Sequence, residues 1–211
     1  MKVIAYNGSP RKNGNTSILI QTVFKQLNKE GIETEEINIG LKNYKGCIGC
    51  MKCAELKNSK CIIATDDLNS QIEKIKEADG LILGSPIYCA NVSGQMKTFI
   101  DRVSMVSAVN GDLFARKPGA AVLAVRRAGA VQGLNTINAF FTIGQMLIVG
   151  TTYWNMGFGM QEGEVFKDEE GLQTMTNLGK NMAWLLKCLE LAKGKVTEPD
   201  GARQVLTNFI R

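Results

Sequence analysis

Residues 1–19 read MKVIAYNGSPRKNGNTSIL, an apolar run followed by a polar, glycine-containing loop and the start of an amphipathic segment. The pattern predicts a buried strand over Lys2–Tyr6 and a helix over Thr16–Lys29. A loop that joins a strand to a helix in this way faces the unpaired N–H groups and the positive dipole end of the helix. The stretch therefore predicts a strand-loop-helix unit that binds an anion.

Side chains of the same loop are suited to a phosphate group. Arg11 carries a forked cation that matches phosphate oxygens. The other candidate ligands offer polar side chains, and they are Ser9, Asn15, Thr16 and Ser17. The GxGxxG pattern is missing, and Asn15 stands where a Walker loop has lysine, which argues against both of those nucleotide loops. We predict a site for a single terminal phosphate, with a capped polar turn as the purely structural alternative.

The rest of the chain continues the alternation of apolar strands and amphipathic helices. Further strands are predicted over Glu33–Ile39, Gly80–Gly84, Gly119–Val125 and Leu147–Tyr153. Helices are predicted over Asp66–Ala78, Ser93–Val106, Val131–Gln145, Asp168–Ala192 and Glu198–Phe209. Five strands separated by helices are typical of an α/β protein with a doubly wound parallel sheet in three layers. We predict one domain over residues 1–211, with a cysteine-rich loop over residues 43–63.

Composition argues against several functions. The 211 residues include 45% hydrophobic ones, enough for one core, but no apolar run approaches the roughly 18 residues of a membrane span. No signal-peptide pattern is present, so we expect a cytoplasmic protein without a membrane partner. The net charge of +5 is spread along the chain, which argues against nucleic-acid binding. The absence of histidine excludes Ser-His-Asp and Cys-His nucleophiles.

A second loop follows the third predicted strand, in GSPIYCANVSGQMKTFIDR, residues 84–102. Together with SPRKNGNTS, residues 9–17, it resembles the two FMN-binding loops of the flavodoxin-like NAD(P)H-dependent FMN reductase family. The resemblance extends from Met1 to about Ala192. It implies a five-stranded sheet in the order 2-1-3-4-5, with the FMN phosphate in the first loop and the isoalloxazine ring against the second.

Residues of the second loop fit that role on physical grounds. Pro86 stiffens the backbone, so that the N–H groups from Ile87 onward can be fixed toward the flavin edge. Tyr88 offers an aromatic plane to the ring or to a neighbouring subunit, with simple packing as the alternative. Asn91 either touches the ligand or supports the loop, and Ser93 is expected to cap the following helix.

A third loop lies in AVLAVRRAGAVQG, residues 121–133. The resembling family places this loop near the pyrimidine side of the flavin, and the matching positions are Arg126, Arg127 and Gly129. Positive charge there would stabilise the negative reduced flavin. A solvated pair of arginines on a turn is the structural alternative.

The cysteine-rich loop has the spacing C-x2-C-x2-C-x7-C, formed by Cys47, Cys50, Cys53 and Cys61. Residues at i, i+3 and i+6 of a helix lie within about a third of its circumference, so three thiolates can converge from one short segment. The motif resembles that of the iron–sulfur flavoproteins, a branch of the same family, and implies one [4Fe–4S] cluster near FMN. Reduced thiols without a cluster and a four-cysteine zinc site remain alternatives.

The resemblance implies redox chemistry through the flavin. The leading hypothesis is an oxidoreductase of the iron–sulfur flavoprotein type that exchanges electrons with a ferredoxin-like protein or NAD(P)H. A cluster-free NAD(P)H-dependent FMN or quinone reductase and a non-enzymatic flavin carrier or redox sensor are the alternatives. The aromatic segment TTYWNMGFGMQEG, residues 151–163, favours a subunit contact in a homodimer or homotetramer, with a place in the lining of the flavin pocket as the alternative for Tyr153, Trp154 and Phe158. Asp101 and Arg102 are expected to form a local ion pair, and no acid or base is assigned.

Overall fold

The computed structural model describes residues 1–201, 205 and 207. Strands and helices alternate along the chain, and a short 3₁₀ turn over Glu164–Lys167 precedes the last helix. The elements in chain order are β1 (Lys2–Asn7), α1 (Asn15–Lys29), β2 (Glu33–Asn38), α2 (Lys52–Leu56), α3 (Leu68–Glu77), β3 (Gly80–Tyr88), β4 (Asn91–Val92), α4 (Gly94–Val109), β5 (Pro118–Val125), α5 (Ala130–Ile143), β6 (Leu147–Ile148), β7 (Met156–Phe158) and α6 (Glu169–Ala192).

A parallel sheet in the order β2-β1-β3-β5 forms the centre of the fold, and β6 and β7 both pair with the outer edge of β5. Strands β1, β3 and β5 are buried over most of their length because helices cover both faces of the sheet. With β6 and β7 taken together as the fifth strand, the predicted flavodoxin-like order 2-1-3-4-5 is confirmed.

Two hydrophobic clusters, one on each face of the sheet, hold the helices in place. Helices α1 and α6 cover one face, where Leu19 and Val23 of α1 belong to the same cluster as Met182 of α6. Helices α3, α4 and α5 cover the other face, with Phe99 and Phe141 among the buried side chains. This packing confirms the predicted three-layer arrangement.

The fifth strand is broken, and the prediction of a continuous strand over Leu147–Tyr153 is wrong. Strand β6 pairs only with the start of β5, and β7 pairs only with its end. Between them, the side-chain amide of Asn155 donates to the Ala121 carbonyl at 3.0 Å, and the Asn155 carbonyl accepts from the Leu123 N–H at 3.1 Å. These bonds replace part of the backbone hydrogen bonding along the outer edge of β5. The chain just before Asn155 lies outside the sheet, and Tyr153 in this segment is exposed.

Some elements differ from the predicted ones at the loops and the C-terminus. The short α2 and the antiparallel β4 were not predicted, and both lie in loops at the carboxyl edge of the sheet. The helix predicted over Glu198–Phe209 is not formed at residues 198–201, and most of its remaining residues lie outside the described part of the chain. Across the described residues, none of the helices is long and apolar enough to cross a membrane.

Asn155 should contribute to stability because it satisfies a buried carbonyl where the ladder is interrupted. We expect Asn155→Ala to lower the free energy of unfolding by about 1–3 kcal/mol, the cost of a buried acceptor left without a donor. Urea unfolding measures the change. Asn177→Ala is the matched control, since its amide bonds Thr152 at an exposed position, where effects stay within about 0.5 kcal/mol. Equal effects of the two substitutions would contradict the assigned role.

Candidate functional site

A pocket of about 130 Å³ opens at the carboxyl ends of β1, β3 and β5, where ligands bind in sheets of this kind. It is lined by residues of four segments, at or after the ends of β1, β3, β5 and β7, namely Ser9, Arg11, Asn15, Thr16, Pro86, Ile87, Tyr88, Ala124, Arg126, Gly159 and Met160. Two of these described lining residues are arginines and none is acidic, so the pocket favours an anion.

The first loop presents hydrogen-bond donors to the pocket at the start of α1. Thr16 is 1% exposed, and its hydroxyl is buried without a partner among the described residues. The helix is capped by Gly14, which has no side chain to satisfy the first N–H groups. A phosphate oxygen would satisfy both kinds of donor, so this end of the pocket fits the phosphate of FMN.

Hydrogen bonds to the chain after β7 fix the side chains of Arg11 and Asn15. The Arg11 guanidinium donates to the Met160 carbonyl at 3.3 Å, and the Asn15 amide donates to the Gln161 carbonyl at 2.9 Å. Arg11 is exposed and therefore lies at the rim of the pocket. The loop after β7 thus forms a wall of the site through Gly159 and Met160, within a segment for which the sequence favoured a subunit contact.

Ser17, also predicted to bind the cofactor, does not line the pocket. Its hydroxyl donates to Glu36 at 3.0 Å, and the same carboxylate accepts from the Asn7 amide at 2.8 Å. The side chain of Ser17 therefore braces α1 against β2. A contact between its backbone N–H and a ligand stays a prediction.

Gly40 supports the first loop from behind. An added Cβ at Gly40 would lie 2.0 Å from the carbonyl oxygen of Ser9, far inside van der Waals contact. The same carbonyl accepts a bond from the Asn38 amide at 2.9 Å. The chain leaving β2 therefore packs directly on the backbone of the predicted phosphate loop.

The second loop extends β3 beyond its neighbours and returns through β4. The turn uses Cys89 and Ala90, both with positive φ angles of 44° and 61°. Tyr88 is half exposed at the pocket, whereas Asn91 lies outside it and accepts from the Thr136 hydroxyl at 2.9 Å. Asn91 thus braces the loop in this structure, and its contact with a cofactor stays a prediction.

Ser93 links the first two loops. Its hydroxyl accepts from the Met96 N–H at 3.3 Å, which confirms the predicted cap of α4. It also donates to the Gly8 carbonyl at 2.9 Å. The Ser93 side chain therefore caps α4 and also fixes the backbone of the first loop at Gly8.

The third loop contributes one of its two arginines to the pocket. Both arginines are exposed, and of the two described side chains only Arg126 is part of the lining. Gly129 has a φ angle of 93°, and an added Cβ there would lie 2.6 Å from the Cα of Ala90. Gly129 therefore allows the third loop to pack on the second one.

The four clustered cysteines meet at a second cavity, of about 20 Å³. Its wall includes Cys47, Cys50, Cys53, Cys61, Met105, Val106 and Arg102. Of the four clustered cysteines, only Cys53 lies in a helix, so the predicted helical spacing is wrong; Gly49 and Met51, both in the left-handed conformation, turn the chain instead. All six cysteines are described and are free thiols, and Cys89 and Cys188 lie away from this cavity.

The four thiols of the cysteine cavity could hold either a single metal ion or an iron–sulfur cluster, and these two need different arrangements of sulfur ligands. Within the described residues, no group of three or more potential ligands is arranged to hold a single metal ion. A tetrahedral zinc site would require such a group, with sulfur at about 2.3 Å from the ion. A four-iron cluster takes one thiolate on each iron, so its ligands surround the cluster at wider separations. The four cysteines offer one thiolate for each iron of such a cluster.

Side chains of α3 and α4 hold the cysteine loop. Asn69 accepts from the Cys61 N–H at 2.8 Å and donates to the Cys61 carbonyl at 2.9 Å. Asn110 donates to the Cys53 carbonyl at 3.3 Å. Burial raises the pKa of the Cys53 thiol, and the nearby Cys50 and Cys61 raise this pKa further. A positively charged ligand would oppose both effects.

Arg102 does not pair with its neighbour, and that prediction is wrong. The Asp101 carboxylate bonds Lys97 at 2.5 Å on the exposed side of α4. Arg102 points inward and pairs with Asp66, because consecutive residues of a helix face different directions. Burial lowers the pKa of Arg102, but Asp66 and Cys61 raise it more, so the guanidinium stays charged.

The sheet order and the cationic pocket at its carboxyl edge define the class, a flavodoxin-like protein with a site for an anionic cofactor. The sequence model of the family described as NADPH-dependent FMN reductase matches residues 1–161. The chain therefore belongs to that family and is a flavin-dependent oxidoreductase.

Individual relatives cover nearly the whole chain. An iron–sulfur flavoprotein of Methanocaldococcus jannaschii is 40% identical over 196 residues, which are 90% of this chain and 100% of the relative. A putative NAD(P)H-dependent FMN-containing oxidoreductase of Bacillus subtilis is 25% identical over 186 residues, 85% of this chain and 97% of the relative. The structure of RosB with a bound 8-demethyl-8-formylriboflavin-5'-phosphate has a TM-score of 0.68 at 17% identity, covering 100% of this chain and 92% of RosB.

Gly40 should be required for the shape of the first loop. We expect Gly40→Ala to weaken FMN binding by at least about tenfold, or 1.4 kcal/mol, because the new methyl group displaces the backbone of Ser9. Titration of flavin fluorescence measures the dissociation constant. Gly150→Ala is the control, since nothing lies within 4 Å of its added Cβ. Unchanged FMN binding in Gly40→Ala would show that the contact does not shape the site.

Proposed function

We propose that the pocket binds FMN, with the phosphate in the first loop and the isoalloxazine ring against Pro86–Tyr88. The buried, unpartnered hydroxyl of Thr16 at the start of α1 supports the phosphate position. Arg126 would stabilise negative charge on the reduced ring, while Arg11 faces the phosphate. RosB, a protein of similar fold, binds a flavin 5'-phosphate as an intermediate, and this supports a flavin 5'-phosphate as the ligand of the pocket.

We further propose that the cysteine cavity holds one [4Fe–4S] cluster. The observation that carries this function is the convergence of Cys47, Cys50, Cys53 and Cys61 on one cavity. The relative of 40% identity that is named an iron–sulfur flavoprotein supports it. When bound, FMN supplies hydride and single-electron chemistry, and the cluster supplies single-electron transfer. The residues of the chain bind, orient and tune these groups, and no side chain is assigned as acid or base.

The electron donor is proposed to be a ferredoxin-like protein or NAD(P)H. Tyr88 and Met160 line the pocket and are about half exposed, which leaves the proposed flavin site open to an external donor. A cluster suits exchange with one-electron carriers, whereas NAD(P)H delivers a hydride directly to a flavin. The electron acceptor is proposed to be either a one-electron carrier or a compound that takes a hydride from the flavin.

The proposal extends to the oligomeric state and the cellular location of the protein. Exposed aromatic side chains lie in and after the break of the fifth strand, among them Tyr153, Trp154 and Phe158. Because this segment is continuous with the wall of the pocket, we propose a homodimer or homotetramer in which a second subunit covers the flavin site. Free thiols and a modest net charge of +5 fit a cytoplasmic protein without a nucleic-acid or membrane partner.

A second candidate is a cluster-free NAD(P)H-dependent FMN or quinone reductase. It is favoured by the description of the family and by the relative from Bacillus subtilis. In that case the cysteine loop contains only reduced thiols. Iron and sulfide content separates the two functions.

Cluster formation should require the four cysteines as one unit. Anaerobically reconstituted protein should contain about four irons and four sulfides per chain, with the visible absorption of a cluster added to that of flavin. Cys47→Ser and Cys50→Ser should lose the cluster and keep FMN. Both positions are exposed, so neither substitution disturbs the core.

Cys89→Ser and Cys188→Ser are the controls and should leave iron and sulfide unchanged. Wild-type protein that binds FMN but no stoichiometric iron and sulfide would refute the cluster. Steady oxidation of NAD(P)H with a flavin or quinone acceptor would then support the cluster-free reductase.

Arg11 should distinguish FMN from riboflavin, which lacks the phosphate. We expect Arg11→Ala to weaken FMN binding by about 1.5–3 kcal/mol, the range for a hydrogen bond to a charged group, and to leave riboflavin nearly unaffected. Lys12→Ala is the control, because Lys12 is also an exposed cation of this loop but does not line the pocket. The dissociation constants of FMN and riboflavin are measured for each variant. Equal weakening of FMN and riboflavin binding would exclude a contact between Arg11 and the phosphate.

A further inference from the structure

Arg102 is a buried cation in the wall of the cysteine cavity. It is 1% exposed and lies on the inner side of α4. Its Nη1 donates to Asp66 Oδ2 at 2.5 Å and to the Lys45 carbonyl at 3.4 Å, and its Nη2 donates to the Ile63 carbonyl at 3.1 Å and to Asp66 Oδ1 at 3.2 Å. A guanidinium has five N–H donors, so these bonds use the four terminal ones.

The fifth donor of Arg102, its Nε–H, is buried without a partner among the described residues. A buried donor of this kind is costly, and native structures rarely leave one unsatisfied. Arg102 and the four cysteines line the same cavity. A sulfur acceptor in this cavity would satisfy the donor.

The other bonds of Arg102 connect the two ends of the cysteine loop. Lys45 precedes Cys47 by two positions, and Ile63 follows Cys61 by two positions. One planar group therefore joins the chain before the first cysteine to the chain after the last one. Lysine could not replace it, because an ammonium group has three donors at a single point.

We propose that Arg102 is a positioning residue of the cluster, whose Nε–H donates to a cluster or thiolate sulfur while its terminal nitrogens hold both ends of the loop. The inference rests on the proposed cluster. Hydrogen bonds to the sulfurs stabilise the more negative, reduced state of a cluster and so raise its reduction potential. Arg102 therefore influences the potential as well as the loading.

The test compares a double variant with a matched pair on the same helix. Arg102→Met with Asp66→Asn removes a cation and an anion together, so the net charge of the site does not change and no buried carboxylate is left unpaired. Lys97→Met with Asp101→Asn removes the exposed pair of α4 in the same way. Each protein is reconstituted anaerobically, and its FMN, iron and sulfide contents and its cluster potential are measured, the last by a redox titration followed by electron paramagnetic resonance.

We expect the Arg102 and Asp66 double variant to keep FMN, and either to lose iron and sulfide or to hold a cluster with a lower potential. The Lys97 and Asp101 variant should match the wild type in every measurement. A double variant with wild-type cluster content and potential would overturn the role of Arg102. Wild-type protein without iron and sulfide would instead refute the proposed cluster itself, and the inference with it.

A second variant covers the case in which the double variant does not fold or retain FMN. Arg102→Lys keeps a cation beside Asp66 but has too few donors to reach both loop ends and a sulfur. We expect it to retain FMN and to show a lower cluster content or potential. Wild-type content and potential in Arg102→Lys would overturn the proposal.

Discussion

Both sites depend on one constraint, which is that β1, β2, β3 and β5 run parallel and end at the same edge of the sheet. The loop after β1 supplies donors at the helix terminus, and the loops after β3, β5 and β7 supply the remaining walls of the pocket. The loop after β2 carries the four cysteines. Parallel strands thus bring a flavin-type pocket and a cysteine cavity to one edge, because every such loop emerges there. The same constraint explains why Gly40, which lies between β2 and the cysteine-rich loop, touches the backbone of Ser9.

Much of the fold could be predicted from the sequence because its signals are local. The apolar runs of β1, β3 and β5 and the periodic apolar faces of the helices lie within short segments. The first loop could be predicted for the same reason, since a strand, polar donors and a helix start follow one another within residues 1–19. The fifth strand could not, because the side chain of Asn155 replaces ladder bonds, and no local pattern shows that.

Parts of the site that depend on distant partners could not be predicted. Arg102 pairs with Asp66 across 36 positions, whereas sequence reasoning chose the adjacent Asp101. The wall formed by Gly159 and Met160 is brought to the first loop through bonds to Arg11 and Asn15 across almost 150 positions. In both cases polar groups pair between segments that are distant in sequence, and the residues around either group do not show which partner it has in the folded chain.

The two cavities share one energetic feature. Among the described residues, the buried side-chain atoms without partners are Thr16 Oγ1, Arg102 Nε and Ser107 Oγ. The first lies in the pocket at the start of α1, and the second lies in the wall of the cysteine cavity. Unsatisfied donors raise the free energy of the folded chain, and a ligand that accepts their hydrogen bonds offsets that cost. Since such a ligand binds the folded chain and not the unfolded one, its binding free energy also stabilises the fold. If phosphate and sulfur bind as proposed, these two donors also couple cofactor binding to the stability of the sheet edge that carries both sites.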